Sequence, residues 1–223
     1  MADVSREDFT PAAGRLLPTS TYDRLLSLLT REARWRAALL QILAPEPGER
    51  ILDVGCGTGS FALLIKKTVP DAVVVGIDPD PEARAIARNK ALAAGISVDW
   101  QPGFASDAAS FGQFDKVVSS LVFHQVPIEE KRTGLVAMFA AARPGGLVCV
   151  ADYAKQQRWL MRQAFRIVQS ADGWTNTQPN VDGFLESELA HICGRQVDPT
   201  WAIDTPTGTI SIFDIQTNDV VQR

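Results

Sequence analysis

The sequence predicts an α/β fold in which a largely parallel sheet is covered on both faces by helices and ends in an antiparallel hairpin at one edge. Two observations carry this. From Arg50 to Ala151, short runs rich in β-branched residues alternate with segments of helical period, and a parallel crossover needs a helix to carry the chain back. Near the C-terminus, Val197 to Ile203 and Thr209 to Ile215 are joined only by Asp204 to Gly208. That link is too short for a crossover, so the pair must be antiparallel.

The elements follow in order. Residues 1–19 hold Pro11, Gly14 and Pro18 and read as a loosely held arm; Ser20 to Leu43 then shows helical spacing of Leu25, Leu28, Leu29, Leu39 and Leu40. Pro45 to Gly48 stops that helix. Arg50 to Val54 is a strand running into a glycine-rich turn, and Ser60 to Val69 a helix. The pattern recurs as strand Val73 to Ile77, helix Pro81 to Ala94 stopped by Gly95, and strand Ile96 to Trp100. After a polar loop come strand Phe114 to Ser120, helix Ile128 to Ala142, a turn at Arg143 to Gly146, and strand Leu147 to Ala151. Lys155 to Ala171 reads as a helix, Asp172 to Asp182 as irregular, and Leu185 to Cys193 as a short helix.

With 223 residues, 46% of them hydrophobic, the chain suffices for one sizeable core and one domain is expected. It divides into an N-terminal arm and helix (1–44), an alternating strand–helix core (50–153), and C-terminal helices with the terminal hairpin (154–223). Lys and Arg number 22 against 26 Asp and Glu, a net charge of −4, which argues against a nucleic-acid partner. Cys56, Cys149 and Cys193 show neither zinc-ligand spacing nor an even count for pairing, so no metal and a reduced, cytoplasmic setting are expected. No apolar run approaches the length of a membrane span, so no integral membrane association is expected.

Chemistry concentrates in Ile51-Leu-Asp-Val-Gly-Cys-Gly-Thr-Gly59, where three glycines two apart follow the first strand. Such a turn lets backbone approach a ligand without Cβ interference. Asp53 stands at the strand end, where a carboxylate attracts a ligand ammonium. Asp78 ends the next strand 19 residues after Gly59, the place of an acidic residue that accepts from ribose hydroxyls. The spacing is G-x-G-x-G and not the G-x-G-x-x-G of dinucleotide folds, which counts against a nicotinamide oxidoreductase.

Leu52-Asp-Val-Gly-Cys-Gly-Thr-Gly59, Gly76-Ile-Asp-Pro-Asp80, Phe114-Asp115 and Arg143-Pro-Gly-Gly146 closely resemble class I S-adenosylmethionine-dependent methyltransferases, in their ubiquinone/menaquinone-like small-molecule branch. The resemblance covers residues 50–153. It implies a Rossmann-like three-layer sandwich whose seven-stranded sheet has its last strand antiparallel. It also implies S-adenosylmethionine as cofactor, S-adenosylhomocysteine as product, and a small-molecule acceptor methylated at O, N or C. Gly55, Cys56, Gly57 and Gly59 would line the methionine and ribose, Asp53 would serve the amino group, and Asp78 the ribose diol. Pro79 would lie against adenine, and Ser119, Ser120 and Leu121 would wall the cavity beside the sulfonium. Where the family has Gly-Asp-Ala this chain has Gly103-Phe104-Ala105. Phe104 could stack on the ring and the Ala105 backbone bond its edge, with Asp107 as a replacement acceptor.

Methyl transfer to a held acceptor requires alignment more than acid–base help. His124 is the candidate base if a proton must leave, with a pocket wall as the blander role; His191 reads as structural. Tyr22 on the lid helix, Tyr153 after the fifth strand and Trp174 are candidates for the acceptor pocket. Arg158, Arg162 and Arg166 align on one helix face, read as a solvated stripe opposite an apolar face of Leu160, Ala164, Ile167 and Val168. A binding module that keeps the nucleoside site without transfer is the competing reading.

Overall fold

The computed structural model describes residues 31–219; Tyr22 and the Ser20 to Thr30 part of the expected lid helix lie outside them. Five strands, β1 (Arg50–Val54), β2 (Val73–Asp78), β3 (Asp99–Pro102), β4 (Phe114–Ser120) and β5 (Ala142–Tyr153), pair in parallel. Beyond β5 lie the hairpin strands β6 (Trp201–Thr205) and β7 (Gly208–Gln216), with β7 antiparallel to both neighbours. The seven strands are ordered β3-β2-β1-β4-β5-β7-β6. From β1 the chain winds first to one side, through β2 and β3, and then to the other from β4. The carboxyl ends of β1 and β4 therefore flank a topological switch point, where open α/β sheets bind ligands.

Alternation along the strands builds two cores. Ile51, Val74, Val118, Cys149 and Ile212 pack under α1 (Glu32–Leu43), α2 (Ser60–Thr68) and α3 (Pro81–Ala93), through Trp35, Leu39, Phe61, Ile65 and Ala87. Leu52, Val54, Val117, Val148 and Phe213 face α4 (Ile128–Ala141) and α7 (Phe184–Cys193), through Leu135, Met138, Leu185 and Leu189. Asp53 shares the face of Ile51, so its carboxylate is directed into the first core.

The structure corrects several expected boundaries. The third strand begins at Asp99, not Ile96, because Ile96 is taken by the end of α3. Its N–H reaches the Ala91 carbonyl at 2.9 Å and that of Gly95 reaches Leu92 at 3.1 Å, a Schellman termination. Arg143 to Gly146 is a bulge inside β5, where pairing with β4 shifts from Phe114 opposite Ala142 to Lys116 opposite Leu147. Asp115 ties it down, accepting the Arg50 N–H at 2.7 Å and pairing with Arg143. The hairpin link is the two residues Pro206 and Thr207, since Thr205 already pairs with Gly208.

Two helices, α5 (Trp159–Asp172) and α6 (Trp174–Asp182), lie between β5 and α7. The second occupies the stretch expected to be irregular. Its Thr and Asn residues and the internal Pro179 are poor helix formers, and tertiary hydrogen bonds decide the matter: Asn180 Nδ2 donates to the Tyr153 carbonyl at 2.7 Å and Lys131 Nζ to that of Asn176 at 2.7 Å. On α5 the buried side chains are Phe165, Val168 and Gln169, whereas Leu160 and Ile167 are 58% and 59% exposed. The apolar face is thus rotated from the one expected. Arg158 pairs with Asp204 at 2.5 Å and Arg162 with Asp182 at 3.4 Å, which neutralises much of the basic stripe.

Candidate active site

The turn after β1 folds back over the end of β2. The N–H groups of Gly55 and Cys56 both donate to the Ile77 carbonyl, at 2.8 and 3.0 Å. Gly57 donates to Asp78 Oδ2 at 2.8 Å, and Asp80 to Asp78 Oδ1 at 2.9 Å. Burial raises the Asp78 carboxyl above its ordinary range, with these two amides opposing the shift. Asp78 therefore shapes the glycine turn as well as standing at the expected ribose position, and each carboxylate oxygen retains a further lone pair. Two of the glycines differ in what they face. Gly57, at φ +51°, has nothing within 4 Å of where a Cβ would stand, whereas at Gly59, φ +75°, a Cβ would lie 2.5 Å from Trp100 and 2.8 Å from Ala87. Gly57 opens on a cradle; Gly59 closes on the core.

Asp53 is the clearest pointer to what fills that cradle. It is 1% exposed, and neither carboxylate oxygen has a hydrogen-bond partner among the described residues. Burial pushes its carboxyl up to about 7, against the weaker opposing pull of Arg36 and the Ala62 amide at the start of α2. A buried carboxylate without hydrogen-bonding donors is costly; Arg36 and Ala62 offset burial only in part, and a ligand ammonium would supply the donors. The residues present thus fit the methionine end of S-adenosylmethionine.

The remaining expected contacts gather at the same strand ends, in different states. The Cys56 side chain turns into the first core, where burial raises its thiol, so only its backbone borders the turn. Pro79 is half-buried after β2. Phe104 is 36% exposed, and its N–H donates to Asp107 Oδ2 at 2.9 Å. Asp107, considered as an adenine acceptor, thus caps the 3₁₀ turn Ala105–Phe111. On β4, Ser119 is buried with its hydroxyl unpartnered among the described residues and Ser120 is half-buried. Leu121 follows at φ +56°, a left-handed conformation costly for a branched side chain. Its N–H bond to the Ala151 carbonyl at 2.9 Å anchors it there. The next residue, Val122, rests directly against Gly55.

His124 is held at both ring nitrogens. Nδ1 lies 2.7 Å from Asp152 Oδ1 and Nε2 3.3 Å from Asp172 Oδ2. Burial alone would lower the imidazole, but the two carboxylates outweigh it and hold it up at about 9. Tyr153 stacks edge-on against His124 at 5.1 Å, is 2% exposed, and bonds Thr207 Oγ1 through its hydroxyl at 2.7 Å. Its ring is buried between His124 and Phe165. Trp174 starts α6 half-exposed, under the Arg166 guanidinium at 5.7 Å. Sequence reasoning passed over Asp152, Asp172 and Lys131. Two signals were available: Asp152 is a charge continuing an apolar strand, and Lys131 falls on the buried helical stripe with Leu135 and Met138.

Residues 51–146 match the family described as "Methyltransferase domain". The chain is 32% identical over 152 residues to a demethylmenaquinone methyltransferase of Thermus thermophilus, covering 66% of this chain and 67% of that protein. It is 38% identical over 109 residues to a ubiquinone biosynthesis O-methyltransferase of Rhizobium etli, covering 48% and 42%. Among solved structures, the N-methyltransferase NodS of Bradyrhizobium japonicum in complex with S-adenosylhomocysteine superposes with a TM-score of 0.62 at 16% identity, over 86% of this chain and 90% of that one. Magnesium protoporphyrin IX methyltransferase from Synechocystis with bound S-adenosylhomocysteine gives 0.61 at 19% identity, over 88% and 99%. At these identities the structural likeness bears on the fold.

Proposed function

This chain belongs to the class I S-adenosylmethionine-dependent methyltransferases, and on that premise we propose that it methylates a hydroquinone-type ring, at carbon or oxygen, held between the end of β4 and helices α5 and α6. The relatives named for demethylmenaquinone and for ubiquinone biosynthesis support this acceptor class. The observation carrying the cofactor assignment is the buried Asp53 carboxylate, with no hydrogen-bond donor among the described residues, beside a glycine turn that Asp78 holds open. The cofactor would supply a methyl carbon already activated by its sulfonium and leave as S-adenosylhomocysteine, while the proton displaced from the acceptor would pass to water. Asp53 takes the ammonium, Asp78 accepts from the ribose hydroxyls, and Leu121 with Val122 separates the methionine end from the acceptor side. The setting we infer is cytoplasmic; no helix of the described residues is long and apolar enough to cross a membrane.

A naphthohydroquinone bearing a short prenyl chain, incubated with cofactor, should yield S-adenosylhomocysteine and a singly methylated ring by mass spectrometry. Cofactor binding by calorimetry with no turnover on this ring or on broad acceptor pools would favour the competing reading, a binding module without transfer.

On this reading His124 is a cationic strut and not the base, because at neutral pH an imidazole held at about 9 has no lone pair to offer. His124→Gln should therefore lower turnover by less than roughly tenfold at saturating cofactor, against the 10² to 10⁴ typical of a lost general base. Its effect on stability has a definite pH window. The folded-state value is raised above the ordinary 6.5, so the wild-type advantage is complete below that value and lost as pH rises through about 9. Melting curves of both proteins at pH 6 and pH 9.5 check the window. A hundredfold loss of turnover with cofactor affinity intact would make His124 the base after all.

A further inference from the structure

We propose that Lys131 is a positioning residue for methyl transfer, its buried ammonium fixing the loop that divides cofactor from acceptor against the helix that covers the acceptor. This role rests on the proposed function, in which α5 and α6 form the acceptor side. Lys131 is fully buried on α4. Its Nζ donates to the Phe123 carbonyl and, at 3.3 Å, to that of His124, both in the segment that follows Leu121 and Val122. From the opposite side it donates to the Asn176 carbonyl and to Asn180 Oδ1 on α6, each at 2.7 Å. Among the described residues no carboxylate pairs with it, and the four acceptors are neutral and lie in two segments far apart in sequence.

Phe123 is thereby gripped through the peptide groups on both sides of its Cα. Its N–H donates to Asp152 Oδ2 at 2.6 Å, its carbonyl accepts from Lys131, and Asp152 also holds His124. Opposite charges on β5 and α4 thus fix the two successive peptide planes that flank Phe123, two residues beyond the left-handed Leu121. A buried lysine is expensive unless satisfied, and burial pushes this ammonium down to about 8 against the pull of Asp152. Packing alone would be served by a methionine of similar length. What the ammonium adds is a fixed separation between loop and helix, the quantity that decides whether an acceptor atom lies in line with the methyl group.

The test compares Lys131→Met with wild type and with Lys131→Arg, all saturated with S-adenosylhomocysteine. In Lys131→Met, amide hydrogen exchange in peptides spanning 121–126 and 174–182 should quicken about tenfold or more while β1 to β3 stay unchanged. Affinity for S-adenosylhomocysteine should stay within about threefold, turnover of the prenylated naphthohydroquinone should fall about a hundredfold with a raised KM, and Lys131→Arg should recover part of both losses. If Lys131→Met does not fold, Asn180→Ala removes one acceptor and should show the same exchange pattern more weakly. Exchange that quickens uniformly across the protein, or that is unchanged in both peptides, overturns the proposal. If wild type leaves the naphthohydroquinone unmethylated, the acceptor assignment falls while the exchange pattern still decides the role of Lys131.

Discussion

Replacing Asp53 with asparagine is expected to raise the melting temperature of the ligand-free protein at pH 8 and to weaken S-adenosylmethionine binding at least about thirtyfold. The two changes have opposite signs because one group causes both. The Asp53 carboxyl is raised from 3.8 to about 7, so the folded state holds its proton more tightly than the unfolded chain. Its contribution to stability is present at low pH and is lost as pH rises through about 7. At pH 8 the ligand-free protein therefore carries a buried anion that asparagine removes. The arriving ammonium reverses the balance, and truncating one member of a buried charge pair costs about 2–5 kcal/mol, which sets the thirtyfold floor. Binding below pH 7 must expel the Asp53 proton. Affinity should climb towards neutrality and decline once the ligand amino group deprotonates near about 8; the mutant should lack the acid limb. Calorimetry in buffers of differing ionisation heat measures the proton directly. A mutant with lowered melting temperature and unaltered affinity would show that Asp53 is architectural.

Gly57→Ala and Gly59→Ala should fail in different assays although they are two residues apart. Both positions have left-handed backbone, which costs an L-residue roughly 1–2 kcal/mol. At Gly59 the new methyl also meets Trp100 and Ala87 inside 3.0 Å, and such overpacking typically adds about 1–3 kcal/mol. Gly59→Ala should melt roughly 10 °C lower than wild type, with cofactor affinity in the surviving folded protein only secondarily affected. Gly57→Ala should melt only a few degrees lower, because its methyl enters empty space. That space is the cradle, however, and S-adenosylhomocysteine affinity should drop about a hundredfold. Thermal melts paired with titrations separate the two outcomes. Normal binding by a folded Gly57→Ala protein would move the ligand away from this turn.

What the sequence revealed follows the range over which each feature is determined. Arg50–Val54 and Phe114–Ser120 occupy their expected bounds because a local run of strand-forming residues suffices to define them. The glycine turn with Asp53 and Asp78 was legible for the same reason: its chemistry lies in contiguous residues at two strand ends. The helix Trp174–Asp182 was not, because its residues individually disfavour a helix and are held there by Lys131 and Tyr153, more than twenty residues distant. The cluster of His124, Lys131, Asp152 and Asp172 has no spacing to recognise, since its members come from a loop, two helices and a strand. Ile96 misled for a different reason: its apolar side chain suited a strand, but its N–H ends a helix.

The position of β7 has a consequence for the nascent chain. The strand is synthesised after the other six strands of the sheet yet lies inside it, between β5 and β6. Until it docks, Leu147 to Tyr153 present unpaired amides and carbonyls on a mostly apolar strand, the kind of edge that recruits other chains. At ribosomal rates the interval between emergence of the two strands is on the order of seconds, long compared with hairpin closure. The hairpin therefore acts first as a seal against aggregation during synthesis, and its weakening would be felt in soluble yield before it was felt in turnover.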